Sequence, residues 1–134
     1  MAKTFLQVAT EAMAEVSSVT PQAAQDRLRQ DANVLLIDIR DLADRRTTGM
    51  AAGATAISAG MLPIRADLEL PEEWRDTRLQ DRSRSIITIC DLGLMSAISA
   101  KTLKDMGFTD VAFIEGGLQG WKDARLPIRP SDDR

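Results

Sequence analysis

Three short runs constrain this chain more than any other feature: "VLLIDI" (34–39), "SIITIC" (85–90) and "VAFIE" (111–115). Each is an almost unbroken apolar stretch of strand length, rich in β-branched residues. A strand that is apolar on both faces has to be covered on both faces, and that is the condition of a parallel sheet flanked by helices. Helix-like segments separate the runs, so the alternation predicts an α/β domain with a central, mostly parallel sheet. A chain of 134 residues is long enough to bury one such core.

The remaining segments fit between these strands. Apolar residues at Phe5, Val8, Ala12, Met13 and Val16 recur at helical spacing. "VSSVTP" can hold a short strand, after which Thr20 and Pro21 read as N-cap and first position of a second helix through "QAAQDRLRQ". "RDLADRRTTGM" begins with a helical turn, "GATAIS" (53–58) is strand-like, and Pro71 starts a helical segment at "EEW". "SAISAKTLKDMG" reads as a helix with Ala97, Ala100 and Leu103 on one side and Gly107 at its C-terminal cap. A closing helix in "GGLQGWKDARLP" is ended by Pro127, with Trp121 as its core anchor. Trp74 is placed either as a cap on the core or in the wall of a pocket, and "RDTR" and "DRSR" read as solvated charge.

Composition excludes several kinds of function. A formal charge of −3 leaves no broad basic surface for nucleic acid or anionic membrane, and 4% aromatics leaves little to stack on bases. No apolar run reaches membrane-spanning length, and the acidic residues Glu11 and Glu15 near the start argue against a signal peptide, so a cytoplasmic protein is expected. There is no histidine, which removes Cys-His and Ser-His pairs and every histidine-bearing zinc site. Asp38, Asp41 and Asp44 resemble a metal set only in spacing, because a strand end and a helical turn send them apart; neither metal nor cofactor is expected. Chemistry is left to the carboxylates and to the single cysteine.

That cysteine opens "CDLGLMS" (90–96), between a buried strand and a helix. Ligands of open α/β sheets bind beyond the carboxyl ends of the strands. A short curled loop leading into a helix N-terminus presents N–H groups to an anion, and Gly93 permits the curl. A thiol held there is stabilised as the nucleophilic thiolate. The alternative is structural, since a free cysteine is often simply a core residue.

Taken together, "LLIDIRD", "GMAAGATAIS" and "IITICDLGLMSAISAKTLKDMGFTDVAFIEGGLQGWKDARLPI" resemble a single-domain rhodanese-like sulfurtransferase, in order from about residue 19 to 128. The resemblance implies a three-layer rhodanese-like domain over residues 17–129, an extra N-terminal helix in 1–16 and a tail at 130–134. It also implies that Cys90 accepts a sulfane sulfur as a persulfide. The cradle for that sulfur would be the backbone of Asp91, Leu92, Gly93, Leu94 and Met95, with Ser96 closing the loop. Asp38 and Arg40 match the family's D-x-R and would shape the rim of the pocket. The partners implied are a small sulfur donor and a thiol or cyanide-like acceptor, with a protein sulfur carrier as a further candidate.

The departures bear on the donor. The family's common loop is C-R-x-G-x-R-S, whereas Asp91 and Met95 fill the arginine positions here, Gly49-Met50 replaces Gly-His, and Arg45-Arg46 reads as surface variation. Arginine would hold an anionic donor such as thiosulfate. A carboxylate about 6 Å from a thiolate instead repels it by about 0.7 kcal/mol in water, or about 3 at an effective dielectric of 20. Asp91 therefore opposes the loop's activation unless it points to solvent or pairs with Arg40. Leu92, Leu94 and Met95 either form an apolar mouth or pack inward, the open position being favoured for Leu94. The expected function is a sulfurtransferase using a Cys90 persulfide with a donor other than thiosulfate. The alternative is a catalytically weak or inactive rhodanese-like binding or regulatory module. Phosphatase or arsenate-reductase chemistry is disfavoured by the missing loop arginine and the short loop.

Overall fold

Thr4 sets the first helix: its hydroxyl accepts the Gln7 N–H while the Gln7 side chain accepts the Thr4 N–H, which satisfies two N-terminal donors reciprocally. In the computed structural model, which describes residues 1–131, the elements run α1 (Phe5–Glu15), β1 (Ser17–Val19), α2 (Pro21–Gln30), β2 (Leu35–Asp38), α3 (Leu42–Thr48), β3 (Met50–Ala51), β4 (Ala54–Ala56), α4 (Leu62–Ala66), β5 (Ile86–Ile89), α5 (Leu94–Asp105), β6 (Val111–Ile114), α6 (Gly117–Asp123) and β7 (Ile128–Arg129). Two single 3-10 turns, Glu72–Trp74 and Thr77–Leu79, lie between α4 and β5.

Five strands form one sheet in the order β1-β6-β5-β2-β4, and every pairing in it is parallel. The strands at its centre, β2, β5 and β6, are buried along their whole length, as their unbroken apolar sequences require. Alternate residues feed two cores. Leu35, Ile37 and Ile86 face α1, α4 and α5, meeting Ala12, Leu62, Ala97, Ala100 and Leu103. Leu36, Ile87 and Ile89 face the other way, onto α2 and α6, against Ala24, Leu118 and Trp121. Trp121 is fully buried, and its indole N–H donates to the Pro127 carbonyl at 2.8 Å.

Several expectations change. Phe5 and Val8 of the expected face are exposed, whereas Ala12 of that face is buried together with Ala9, and Met13 and Val16 pack against the same core. Helix α5 begins at Leu94, two residues before the expected "SAISAKTLKDMG", so Leu94 and Met95 belong to its first turn. The short elements α4 and β3 carry too little pattern to be read from sequence, and β7 continues the chain past Pro127 by pairing antiparallel with β3. Arg45 is not surface variation: it is buried and donates to the Arg40 carbonyl. Nor are "RDTR" and "DRSR" simply solvated. Arg75 donates to the Leu68 carbonyl, and Arg82 donates to the Met106 and Leu79 carbonyls while lying 4.6 Å above the Phe108 ring. Trp74 stays about half exposed and joins neither core. Of the tail expected at 130–134, residues 132–134 lie outside the described residues.

Candidate active site

Strands β5 and β2 are neighbours in register, with Asp38 opposite Ile89, so whatever follows the two strands emerges side by side. Cys90 follows β5, and Arg40 follows β2 by two residues. The chain then turns through Asp91, Leu92 and Gly93 into α5. Gly93 has φ of 102°, and a Cβ there would come within 3.3 Å of the Ile114 carbonyl oxygen. Only glycine suits both the left-handed backbone and the close approach.

This curl aims N–H groups at the sulfur. Cys90 Sγ accepts the Gly93 N–H at 3.1 Å and the Ser96 N–H at 3.3 Å, and lies 3.3 Å from Ser96 Oγ, to which the thiol donates. Ser96 is itself fixed, because its carbonyl accepts the Thr88 hydroxyl at 2.7 Å. The start of α6 supports the loop from below. The Leu118 and Gln119 N–H groups donate to the Cys90 and Asp91 carbonyls at 2.7 and 3.1 Å. A Cβ on Gly117 would fall 2.5 Å from the Cys90 carbonyl oxygen. The Gly116-Gly117 pair, expected as a tight strand-to-helix turn, thus also seats the cysteine loop.

Arg40 is buried beside this loop. Its Nε donates to Asp38 Oδ1 at 3.0 Å and its Nη2 to Asp38 Oδ2 at 2.9 Å, a bidentate pair. Nη1 donates to Thr48 Oγ1 at 2.6 Å and to Asp91 Oδ1 at 3.1 Å, and Nη2 donates to the Gly49 carbonyl at 2.7 Å. A guanidinium has five N–H donors, so each of those in Arg40 has a protein partner. Burial works to lower the Arg40 pKa, but the Asp38 and Asp91 carboxylates outweigh it and hold the group above its ordinary value. Asp91 therefore meets the pairing condition posed by the sequence, with its carboxylate turned to Arg40 and largely in solvent.

Above the sulfur opens a cleft of about 290 Å³ lined by Arg40, Cys90, Asp91, Leu92, Leu94 and Met95 among others. Cys90 is only 5% exposed and forms its floor, while Leu92 stands 63% exposed at the mouth. Leu94 is half-buried rather than open, since it already belongs to a helix. Asp38 does not reach the rim; it is buried beneath, where it holds Arg40. Gly93 and Ser96 also lie under the surface, at the sulfur. Five contributors to the cleft were not expected there from the sequence: Phe5 of α1, Ile39 after β2, Asp41 and Asp44 around the start of α3, and Ala59 after β4. Among the described residues no three His, Cys, Asp or Glu side chains gather as a metal site. No helix of the described residues is long and apolar enough to cross a membrane.

Known proteins share this sequence pattern and fold. The family model for the rhodanese-like domain matches residues 20–124. The thiosulfate sulfurtransferase GlpE of Actinobacillus succinogenes is 30% identical over 84% of this chain and 89% of its own. Among solved structures, a protein of unknown function from Rhodopseudomonas palustris, described as a possible tyrosine phosphatase, superposes with a TM-score of 0.87 at 31% identity, covering 96% of both chains. The polysulfide-sulfur transferase homodimer of Wolinella succinogenes has the same fold, with a TM-score of 0.73 at 23% identity over 94% of this chain and 87% of that one.

Proposed function

The chain belongs to the rhodanese-like domain family, and on that premise we propose that it is a sulfurtransferase in which Cys90 carries the sulfur. The observation that carries this reading is the placement of Sγ at the floor of an open cleft, where it receives the Gly93 and Ser96 N–H groups. Hydrogen bonds to a charged acceptor are worth roughly 1.5–3 kcal/mol each, and the N-terminus of α5 adds a favourable field for negative sulfur. A merely structural cysteine needs neither.

The reaction follows from the residues in place. The Cys90 thiolate attacks the outer sulfur of a donor R–S–SH, and the S–S bond of the donor breaks. The electron pair leaves with RS⁻, and Cys90 becomes Cys90–S–SH. An acceptor thiolate R′S⁻ then attacks the outer sulfur and leaves as R′–S–SH, or cyanide takes it as thiocyanate with release of the proton to water. In either case the S–S bond breaks and its electron pair returns to Cys90 as thiolate. The Gly93 and Ser96 N–H groups face the sulfur that must carry negative charge when it attacks, and the Ser96 hydroxyl can turn to donate to it at that point. Asp38 and Arg40 fix the loop through Asp91. Asp91, Leu92, Leu94 and Met95 meet the donor at the mouth.

The donor we propose is not thiosulfate. Arg40 is the one cationic residue lining the cleft among the described residues, and its N–H donors are already committed. An oxyanion would have to compete with Asp38 and Asp91 for it. The same shortage of cation weighs against phosphate-ester chemistry.

Intact-protein mass spectrometry after incubation with thiosulfate or with a low-molecular-weight persulfide tests this, with Cys90→Ser as control. A gain of one sulfur is expected from the persulfide, absent in Cys90→Ser and reversed by added thiol. Absence of any gain from either donor would leave the cleft without this chemistry. A faster gain from thiosulfate would overturn the donor assignment.

A further inference from the structure

Helix α1 is not merely attached to the domain. It lies alongside α5 in the same direction: at its far end the Glu15 carbonyl accepts the Lys104 ammonium, and the Glu15 carboxylate pairs with Lys101 at 3.3 Å. Ala9 and Ala12 are buried in the contact. With the C-terminal ends of the two helices matched, the N-terminal end of α1 falls beside the N-terminal end of α5, which is the end that carries the cysteine loop. Phe5, the first residue of α1, lines the same cleft as Cys90, Leu92, Leu94 and Met95.

Phe5 is 52% exposed, so it is not a core residue of the α1–α5 contact; its ring is a wall of the cleft. The cleft of about 290 Å³ exceeds what a bare sulfur donor needs. A water molecule occupies about 30 Å³ of liquid, so the space corresponds to roughly ten non-hydrogen atoms. Its charged lining is Arg40, already saturated by protein partners, and the carboxylates of Asp41, Asp44 and Asp91. Such a lining offers apolar contact to the body of a donor and no cation for an anionic one.

We propose that Phe5 is a specificity-determining residue of the Cys90 cleft, selecting an organic persulfide whose body is apolar and uncharged. This rests on the sulfurtransferase reading, and deepens it by naming the substrate class and the part played by α1. The transfer is the one given above, with R an apolar group of about benzyl size held between Phe5, Leu92 and Met95. The thiol RSH is released.

The test compares rates of one-sulfur loading of Cys90 from three freshly generated donors: phenylmethyl persulfide, methyl persulfide and 4-carboxyphenylmethyl persulfide. The wild-type protein is expected to load from phenylmethyl persulfide roughly tenfold faster than from methyl persulfide at subsaturating donor, the scale of an apolar side-chain contact in a substrate pocket. The anionic analogue should be slower than its neutral counterpart. Phe5→Ala should collapse the phenylmethyl-to-methyl ratio towards one, chiefly through KM, and Phe5→Leu should restore part of it. Leu6→Ala, on the same helix but outside the cleft, should keep the wild-type ratio. A ratio unchanged in Phe5→Ala, with loading intact, would overturn the role of Phe5 while leaving the sulfurtransferase reading standing. If the wild-type protein loads from none of the donors, both fall.

Discussion

Asp91 falls at an arginine position of the loop pattern C-R-x-G-x-R-S that this chain resembles, and taken alone it would repel a thiolate next to it. The structure gives it a partner: its carboxylate lies 3.1 Å from Arg40 Nη1 and is otherwise in water. An exposed carboxylate already paired with a guanidinium exerts little net field on its neighbour. Asp91→Asn is therefore expected to change the rate of Cys90 alkylation by iodoacetamide at fixed neutral pH by less than about threefold. An unpaired carboxylate would instead yield a rise between about threefold and a hundredfold, the range given by about 0.7–3 kcal/mol. The sequence showed that Asp91 and Arg40 were both present, and it posed pairing as a condition. It could not decide the matter, because the two residues are 51 positions apart and meet only where β2 and β5 lie side by side.

At the scale of elements, the cysteine loop is a joint between three pieces of backbone. Strand β5 delivers Cys90, the first turn of α5 supplies N–H groups to the sulfur, and the first turn of α6 holds the loop's carbonyls. Gly117 is the tightest point, with φ of 57° and room for no side chain. Gly117→Ala adds a left-handed backbone penalty of roughly 1–2 kcal/mol to a clash with backbone that cannot step aside. A stability loss of at least about 2 kcal/mol in urea unfolding is expected, together with loss of sulfur loading, because the Cys90 carbonyl must move. Full loading by a stable Gly117→Ala protein would show that α6 does not position the loop. The long elements were legible from periodicity, and so were the Thr20-Pro21 start of α2 and the glycine turn before α6. The elements α4, β3 and β7 were not, since they carry no periodicity of their own, and β3 and β7 are fixed by pairing with each other.

Across the whole molecule, apolar residues fill two cores on either side of the sheet, and ion pairs with backbone clamps tie down the long segment between α4 and β5. Asp76 belongs to that segment. Arg78 lowers its pKa from the ordinary 3.8 through a side-chain hydrogen bond, and the Arg78 N–H lowers it further. A carboxyl group whose folded value lies below its unfolded value stabilises the fold above the unfolded value, and that contribution fades as pH falls through 3.8 and below. Urea midpoints measured from about pH 5 down to 3 should therefore fall less steeply in Asp76→Asn than in the wild-type protein. An identical slope would mean that this segment does not report on global unfolding.

The sequence by itself determined the α/β class, the three central strands, the family and the position of the one cysteine at a strand's carboxyl end. These are local properties: burial on both faces dictates an unbroken apolar run, and a strand-to-helix turn dictates its glycine. What only the tertiary structure decided is the character of the site. Arg40 is saturated by Asp38, Asp91, Thr48 and Gly49 rather than free for a donor. Arg45 is buried and donates to the Arg40 carbonyl, and Phe5, 85 residues before Cys90, forms part of its cleft. The Arg40–Asp91 pair and the approach of Phe5 to Cys90 are contacts between segments distant in the chain. Such contacts are set by how the helices pack on the sheet, and no local spacing encodes them.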